Sequence, residues 1–291
     1  MNLKDWPWSR SSPIKLKQVR AEIQSTLAAQ DFETPGNLSL LLLGQALNQP
    51  KTWLLTHPEV EIQSKEFSAL QKALNRLLQG VPLPHILGEW EFYGRPFLVS
   101  PEVLIPRPET ELLVERAIAL ASRLPRPLIA DVGTGSGAIA VSLAAELPRA
   151  ALIATDISRP ALRIARRNAS KHALSPIHFL QADLLLPLAA KFNLICANLP
   201  YIPTASLQEL DVVQWEPTLA LDGGPSGLDL ITRLLHQAQT RLAPAGSLLL
   251  EIESTLGQKT LALARSVFPG AEVTLRQDLA GRDRLIEIRS N

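Results

Sequence analysis

Seven residues, Asp131-Val-Gly133-Thr134-Gly135-Ser136-Gly137, stand between an apolar run and a helical pattern. Glycines lack a Cβ, so the backbone here can turn tightly and a ligand can come close. The free N–H groups at the start of the following helix favour an anionic group, a carboxylate or a phosphate. Asp156 ends the next apolar run, in Ala-Thr-Asp156-Ile-Ser158. An acid at that point can accept hydrogen bonds from both hydroxyls of a ribose. The two features together, each at a strand end, point to a nucleoside-containing cofactor rather than to an ordinary glycine turn and a helix-capping Asp. Gly133 to Ala138 also satisfies the looser dinucleotide pattern G-x-G-x-x-A, so NAD remains open on these residues alone.

Asp131 and the placing of the third glycine at 137 resemble instead the S-adenosylmethionine loop of class I methyltransferases. A second motif decides between the two. The strand Leu194–Ala197 ends in Asn198-Leu199-Pro200-Tyr201, where a doubly wound sheet places its ligands. This resembles the Asn-Pro-Pro-Tyr motif of methyltransferases that act on planar amino groups. A conjugated nitrogen, in an amide or in adenine, has a delocalised lone pair and is a poor nucleophile. The Asn198 side-chain oxygen and the Pro200 carbonyl can accept its two N–H bonds, turn the lone pair toward a sulfonium methyl and stabilise the positive charge that develops. Tyr201 can pack on the flat face of the group. No general base is needed before transfer, because the methylated cation is a strong acid.

The elements that must hold these residues follow from periodicity. Residues 1–80 read as helices at Ile14–Ala29, Asn37–Leu47 (after a breaker at Gly36), Thr52–Leu55 and Ile62–Leu78, closed by Gly80. This front part is either a packing bundle or a module that holds a macromolecular substrate. Residues 88–99 alternate and turn at Gly94, as a β-hairpin does. Pro101–Pro108 is extended, since proline and the residue before it disfavour helix, and is expected to connect the domains. From Glu109 helices and strands alternate: helices at Glu109–Ser122, Ala138–Glu146, Ser158–Ser170, Leu228–Leu242 and Leu256–Val267, and strands at Leu128–Val132, Ala151–Thr155, Ile177–Leu180, Asn193–Ala197 and Ser247–Glu251. Two more strands, Glu272–Leu275 and Leu285–Ile288, lie close enough to form an antiparallel end. Such alternation predicts an α/β domain, a largely parallel sheet with helices on both faces.

Composition narrows the function further. The chain has 291 residues, 46% of them hydrophobic, which is about two domains' worth of material at roughly 100–200 residues each and excludes a disordered chain. Charges nearly cancel, 29 Lys and Arg against 28 Asp and Glu. A protein held on nucleic acid by bulk charge is far more basic. The single cysteine, Cys196, permits no internal disulfide and no cysteine-based metal site, and fits a reducing compartment. It reads as a small buried apolar residue. His57, His85, His172, His178 and His236 lack metal-ligand spacing, so no metal is expected. Arg163, Arg166, Arg167 and Lys171 read as the solvated face of a helix, and Trp6 and Trp8 as an anchor for the polar start or for a partner. The start MNLKDWPWSR has no apolar signal core, and the densest apolar run, Leu38–Leu43, is far shorter than a membrane span. A cytoplasmic protein is expected.

Three further segments carry a family resemblance. Ile105-Pro106-Arg107-Pro108-Glu109-Thr110-Glu111, His85-Ile-Leu-Gly88-Glu-Trp-Glu-Phe-Tyr93, and Glu216-Pro217-Thr-Leu-Ala-Leu221 followed by Gly227-Leu-Asp resemble signatures of the HemK/PrmC family, the release-factor glutamine-N5 methyltransferases. The resemblance implies a class I fold with a Rossmann-like seven-stranded sheet. It implies a helical substrate-docking domain at 1–84, a β-hairpin and proline-rich linker at 85–108, and a methyltransferase domain at 109–291. It implies methyl transfer from S-adenosylmethionine, leaving S-adenosylhomocysteine, to the side-chain amide of the glutamine in the Gly-Gly-Gln loop of class I peptide-chain release factors. Cofactor contacts would come from Gly133, Thr134, Gly135, Ser136, Gly137, Asp156, Leu184 and Asn198. Substrate contacts would come from Asn198, Leu199, Pro200 and Tyr201, with Asn198, Pro200 and Tyr201 as the catalytic set. Leu184 stands where many relatives have an aromatic ring, and Leu199 where they have proline. Arg107, fixed by two prolines, is a site contact or a linker salt bridge. The chief rival is a DNA or RNA adenine-N6 methyltransferase, whose amino group is also planar. Stable nucleic-acid binding and a membrane partner are not expected. A cofactor-binding regulator without catalysis and a nicotinamide dehydrogenase fit less well.

Overall fold

The computed structural model describes residues 14–172 and 177–291. Trp6 and Trp8 lie outside the described residues. The chain divides between Gly88 and Glu89 into two compact units.

In the first unit, β1 (Ile14–Lys15) is followed by α1 (Leu16–Ala28), α2 (Pro35–Leu47), α3 (Lys51–Thr56), β2 (Glu61–Ile62), α4 (Ser64–Leu78) and α5 (Leu83–Leu87). The expected helices are present, with starts that differ by one or two residues. Ile14 and Ile62 pair with each other in a two-residue antiparallel ladder, which draws both out of the helices assigned to them. In α4, Leu70, Ala73, Leu74 and Leu77 share the buried face, and its first turn is closed by the Gln63 N–H donating to Glu66 at 2.8 Å. Gly36 is not a breaker but sits in the first turn of α2, behind Pro35. The short helix α5 was not legible, because five residues carry no period.

The second unit opens with a hairpin, β3 (Glu89–Phe92) and β4 (Arg95–Leu98). Tyr93 and Gly94 turn it, both at positive φ, as a tight hairpin requires. The rest is α6 (Thr110–Ala121), β5 (Leu128–Val132), α7 (Ala138–Glu146), β6 (Ala151–Asp156), α8 (Arg159–Lys171), β7 (Ile177–Gln181), β8 (Phe192–Ala197), α9 (Asp229–Gln239), β9 (Leu242–Glu251), α10 (Gly257–Val267), β10 (Glu272–Gln277) and β11 (Asp283–Arg289). The strands form one seven-stranded sheet in the order β10-β11-β9-β8-β5-β6-β7. β5 to β9 are parallel, and β11 and β10 close the far side antiparallel. Helix α9 ends three residues before the expected Leu242, because that residue enters β9 and pairs with Phe192.

Alternation along the strands divides the core. Ile129, Leu194, Cys196 and Leu249 face the layer with α6, α7 and the hairpin residues Phe92 and Phe97. Ala130, Ile195, Ala197 and Leu250 face the layer with α9 and α10. Strand order reverses at β5, which has β6 on one side and β8 on the other. Crevices at such a reversal, outside the carboxyl ends of the strands, hold ligands in open α/β sheets. No described helix is long and apolar enough to cross a membrane.

Candidate functional site

At the reversal a cleft opens between the loop after β5 and the loop after β8. Gly133, Thr134, Gly135, Ser136, Asp156, Leu184, Asn198, Leu199 and Pro200 all line it. The structure does not bring Gly137 and Tyr201 to the lining. Gly137 faces α8 instead, where a Cβ would come within 3.0 Å of Ala165. Tyr201 packs its ring against the core on the α9 face, and burial, then the Glu251 carboxylate, push its phenol up to about 12.

The glycine loop uses most of its own donors. The Gly133 and Thr134 N–H groups donate to the Thr155 carbonyl, each at 2.9 Å. The Gly135 N–H donates to Asp156 Oδ2 at 2.8 Å, and the Ala140 N–H to Asp131 Oδ2 at 3.1 Å. This narrows the expectation of a freely donating helix start. Asp131, fully buried beneath the loop, already caps the helix, and also accepts from the Thr134 hydroxyl at 2.6 Å. Burial pushes its carboxyl up to about 7 against these two bonds. Among the described hydrogen bonds the N–H groups of Ala138 and Ile139 have no acceptor, so the first two residues of α7 remain for an anion at the cleft.

Asp156 ends β6 at the cleft edge. One oxygen accepts from the Ser158 N–H and the other from the Gly135 N–H, both at 2.8 Å. A carboxylate has about four acceptor positions, so both oxygens can take a further donor. Burial raises its pKa, and the backbone donors oppose the rise. Ile157, which the sequence did not single out, and Leu184, held at φ 55°, add apolar faces to the same lining.

Gly133 shows why its position tolerates no side chain. It sits at φ +73°, and a Cβ there would come within 3.0 Å of Leu199 Cδ2. Leu199 is 3% exposed and packs the second loop onto the first, so its side chain is structural. Asn198 Nδ2 donates to Thr110 Oγ1 at 3.1 Å, and no described donor reaches Asn198 Oδ1 or the Pro200 carbonyl. The Tyr201 backbone is pinned from behind. Gly227, at φ +74°, lies so close that a Cβ would meet the Tyr201 carbonyl oxygen at 2.4 Å.

Two sequence segments 109 residues apart meet here. Glu216, 4% exposed, accepts from Arg107 at 2.6 Å and from the Ile105 N–H at 3.3 Å. Arg107 is therefore both a salt-bridge partner and part of the cleft wall. The proline stretch is thus tied to the loop after β8. Asn168 on α8 was missed by sequence reading. Its side chain, fully buried, joins the hairpin to the glycine loop through Leu98 and the Ser136 carbonyl, at 2.7 to 3.1 Å. Thr110 and the buried Glu251 were missed as well. Thr110 lay inside a motif, and Glu251 gave a signal as an acid closing an apolar strand. Lys171 and Arg163 form surface pairs with Glu89 and Glu102, and Cys196 is buried, its thiol pushed up by burial.

Residues 18–88 match the PrmC N-terminal domain family, and residues 109–215 the methyltransferase small domain family. The chain is 44% identical over 274 residues to a release factor glutamine methyltransferase of Moorella thermoacetica, covering 93% of this chain and 97% of that protein. It is 35% identical to one of Deinococcus radiodurans, covering 95% and 99%. By shape it is similar to a methyltransferase of Pyrococcus furiosus, with a TM-score of 0.50 at 16% identity, covering 79% of this chain and 100% of that one; at that identity the likeness shows the fold. A seven-stranded sheet, a glycine loop facing an Asn-Leu-Pro-Tyr loop, and identity along nearly the whole length place the chain in the release factor glutamine methyltransferase family, within the S-adenosylmethionine-dependent class.

Proposed function

We propose that this protein methylates the side-chain amide N5 of the glutamine in the Gly-Gly-Gln loop of class I peptide-chain release factors, in the cytoplasm. The observation that carries this reading is a pair of acceptors at one cleft wall, Asn198 Oδ1 and the Pro200 carbonyl, that no described donor satisfies. A primary amide offers two N–H donors in one plane, which is the complement of such a pair.

The residues present fit S-adenosylmethionine. Asp156 retains acceptor positions for the ribose hydroxyls. Ile157 and Leu184 offer apolar faces to adenine, and the Ala138 and Ile139 amides suit the methionyl carboxylate. Bound there, the cofactor supplies an electrophilic methyl on a sulfonium. Asn198 and Pro200 accept the two amide N–H bonds, which fixes the nitrogen and orients its lone pair. The two acceptors would stabilise the positive charge that grows on that nitrogen as it takes up the methyl group. The excess proton then leaves to solvent. Tyr201, a neutral phenol half-buried against the core, supports the loop from behind. The helical unit matches the N-terminal domain of the family and is assigned to docking the protein substrate.

Asn198→Ala tests the reading. The single-turnover rate on intact release factor should fall on the order of 10²–10³-fold, as when an oxyanion-type partner is removed, while cofactor affinity falls less. Near wild-type transfer by the variant would remove the amide clamp.

A further inference from the structure

We propose that Glu251 and Thr110 are positioning residues, a buried relay that holds the Asn198 side-chain amide with its oxygen toward the substrate. The inference rests on the reading of Asn198 as an amide clamp. An Asn side chain has one accepting end and one donating end of nearly equal size. If it turns over, the clamp presents N–H groups to N–H groups and cannot hold an amide. Something must therefore fix its sense.

Topology brings the three residues together. β8 and β9 are parallel neighbours with Ala197 opposite Leu250. The next residues, Asn198 and Glu251, thus emerge side by side at the carboxyl edge. Thr110 is the first residue of α6 and reaches the same edge. Its hydroxyl accepts from Asn198 Nδ2 at 3.1 Å. A hydroxyl that accepts from the amide has its own proton free to donate, and the Glu251 carboxylate beside it is the acceptor, with Thr110 and Asn198 both acting to stabilise its charged form. Thr110 is 5% exposed and Glu251 4%, so water does not compete freely. Glu251 Oε2 has no hydrogen-bond partner among the described residues.

The chemistry of the terminal group sets the direction of the whole chain. Above about pH 7, where both readouts below are taken, the Glu251 carboxyl is ionised, and an ionised carboxylate only accepts. Thr110 must donate to it, so Thr110 accepts from Asn198, and the Asn198 NH2 end is drawn to the buried side. Asn198 Oδ1 is then the atom left for the cleft. A glutamine at 251 breaks this logic without changing shape. Its amide can present N–H to Thr110, and the Asn198 amide is then free to take either sense.

The experiment compares the full-length wild-type protein with Glu251→Gln, Thr110→Val and Thr110→Ser in two readouts. The first is the Asn198 side-chain amide proton pair by NMR without cofactor, assigned by its loss in Asn198→Ala. The wild-type pair should be protected from exchange, and Glu251→Gln and Thr110→Val should lose protection by tenfold or more. The second is single-turnover transfer to release factor at saturating cofactor. Both variants should lose roughly tenfold in rate with KM for release factor within about twofold, and Thr110→Ser, which keeps the hydroxyl, should recover most of the rate. Unchanged amide protection in Glu251→Gln and Thr110→Val would overturn the relay. So would wild-type rates in both. If wild-type protein itself transfers nothing to release factor, the functional reading fails, and the amide protons still decide whether the relay exists.

Discussion

Asp156 contributes through two oxygens that are each half used, one by Ser158 and one by Gly135. Replacing it with alanine should therefore have two effects. It removes acceptors for a ribose, and it frees the Gly135 N–H that shapes the glycine loop. The affinity for S-adenosylmethionine should fall by roughly 1.5–3 kcal/mol, the range for hydrogen bonds to a charged group. Calorimetry on a folded Asp156→Ala protein that showed unchanged affinity would take Asp156 out of the site. The titration of Glu251 gives a second residue-scale prediction. Burial pushes its carboxyl up to about 7, against hydrogen bonds from Thr110 and Asn198 and with Glu109 and Arg284 facing it. The unfolded chain releases this proton near pH 4, whereas the folded chain keeps it until about 7. The unfolded state thus binds fewer protons in that window, and the carboxyl lowers stability as pH rises through it. Relative to wild type, Glu251→Gln should gain on the order of 2–3 kcal/mol between pH 4.5 and 7, flattening above. Chemical denaturation without cofactor across that range checks it, and a difference independent of pH would contradict it. Such a variant would be more stable and less active, the trade expected where a site stores strain.

At the scale of elements, the linker and the loop after β8 form one wall of the cleft because Glu216 holds both. Glu216→Gln keeps the shape but loses the charge that pairs with Arg107 at 2.6 Å. It should lower stability by about 1–2 kcal/mol and weaken cofactor binding several-fold, read by melting temperature and calorimetry. No change in either would mean that the tie does not shape the cleft. These elements also show what a sequence can and cannot convey. The strands β5, β6 and β8 were legible because both of their faces are buried and their runs are short and apolar. The glycine loop, Asp156 and Asn198 were legible because each closes such a run. Ile14 and Ile62 misled because a two-residue ladder between distant segments leaves no local period. Asn168 was invisible for a related reason. A polar residue on an amphipathic helix reads as solvated, and only the arrival of β4 and the glycine loop makes it a buried tie. Glu251 closes an apolar strand and Thr110 lies inside a motif, but that they meet at Asn198 follows from the pairing of β8 with β9 and the arrival of α6, which no local pattern specifies.

The whole molecule joins a helical unit to a sheet unit whose cleft lies at the reversal of strand order. The near balance of charge, 29 against 28, suits a protein substrate better than a nucleic acid, whose backbone is bound through many basic contacts. The acceptor pair of Asn198 and Pro200 would by itself suit an amide or an adenine, so the substrate class is a property of the molecule rather than of the motif. It is tested most directly by offering full-length protein and isotopically labelled S-adenosylmethionine to a class I release factor and to duplex DNA side by side, then locating the label by mass spectrometry. The label should appear on the release factor alone, on the glutamine of its Gly-Gly-Gln loop, and a release factor with that glutamine replaced by alanine should take none. Label on adenine in the DNA, or on the release factor at any other residue, would contradict the assignment.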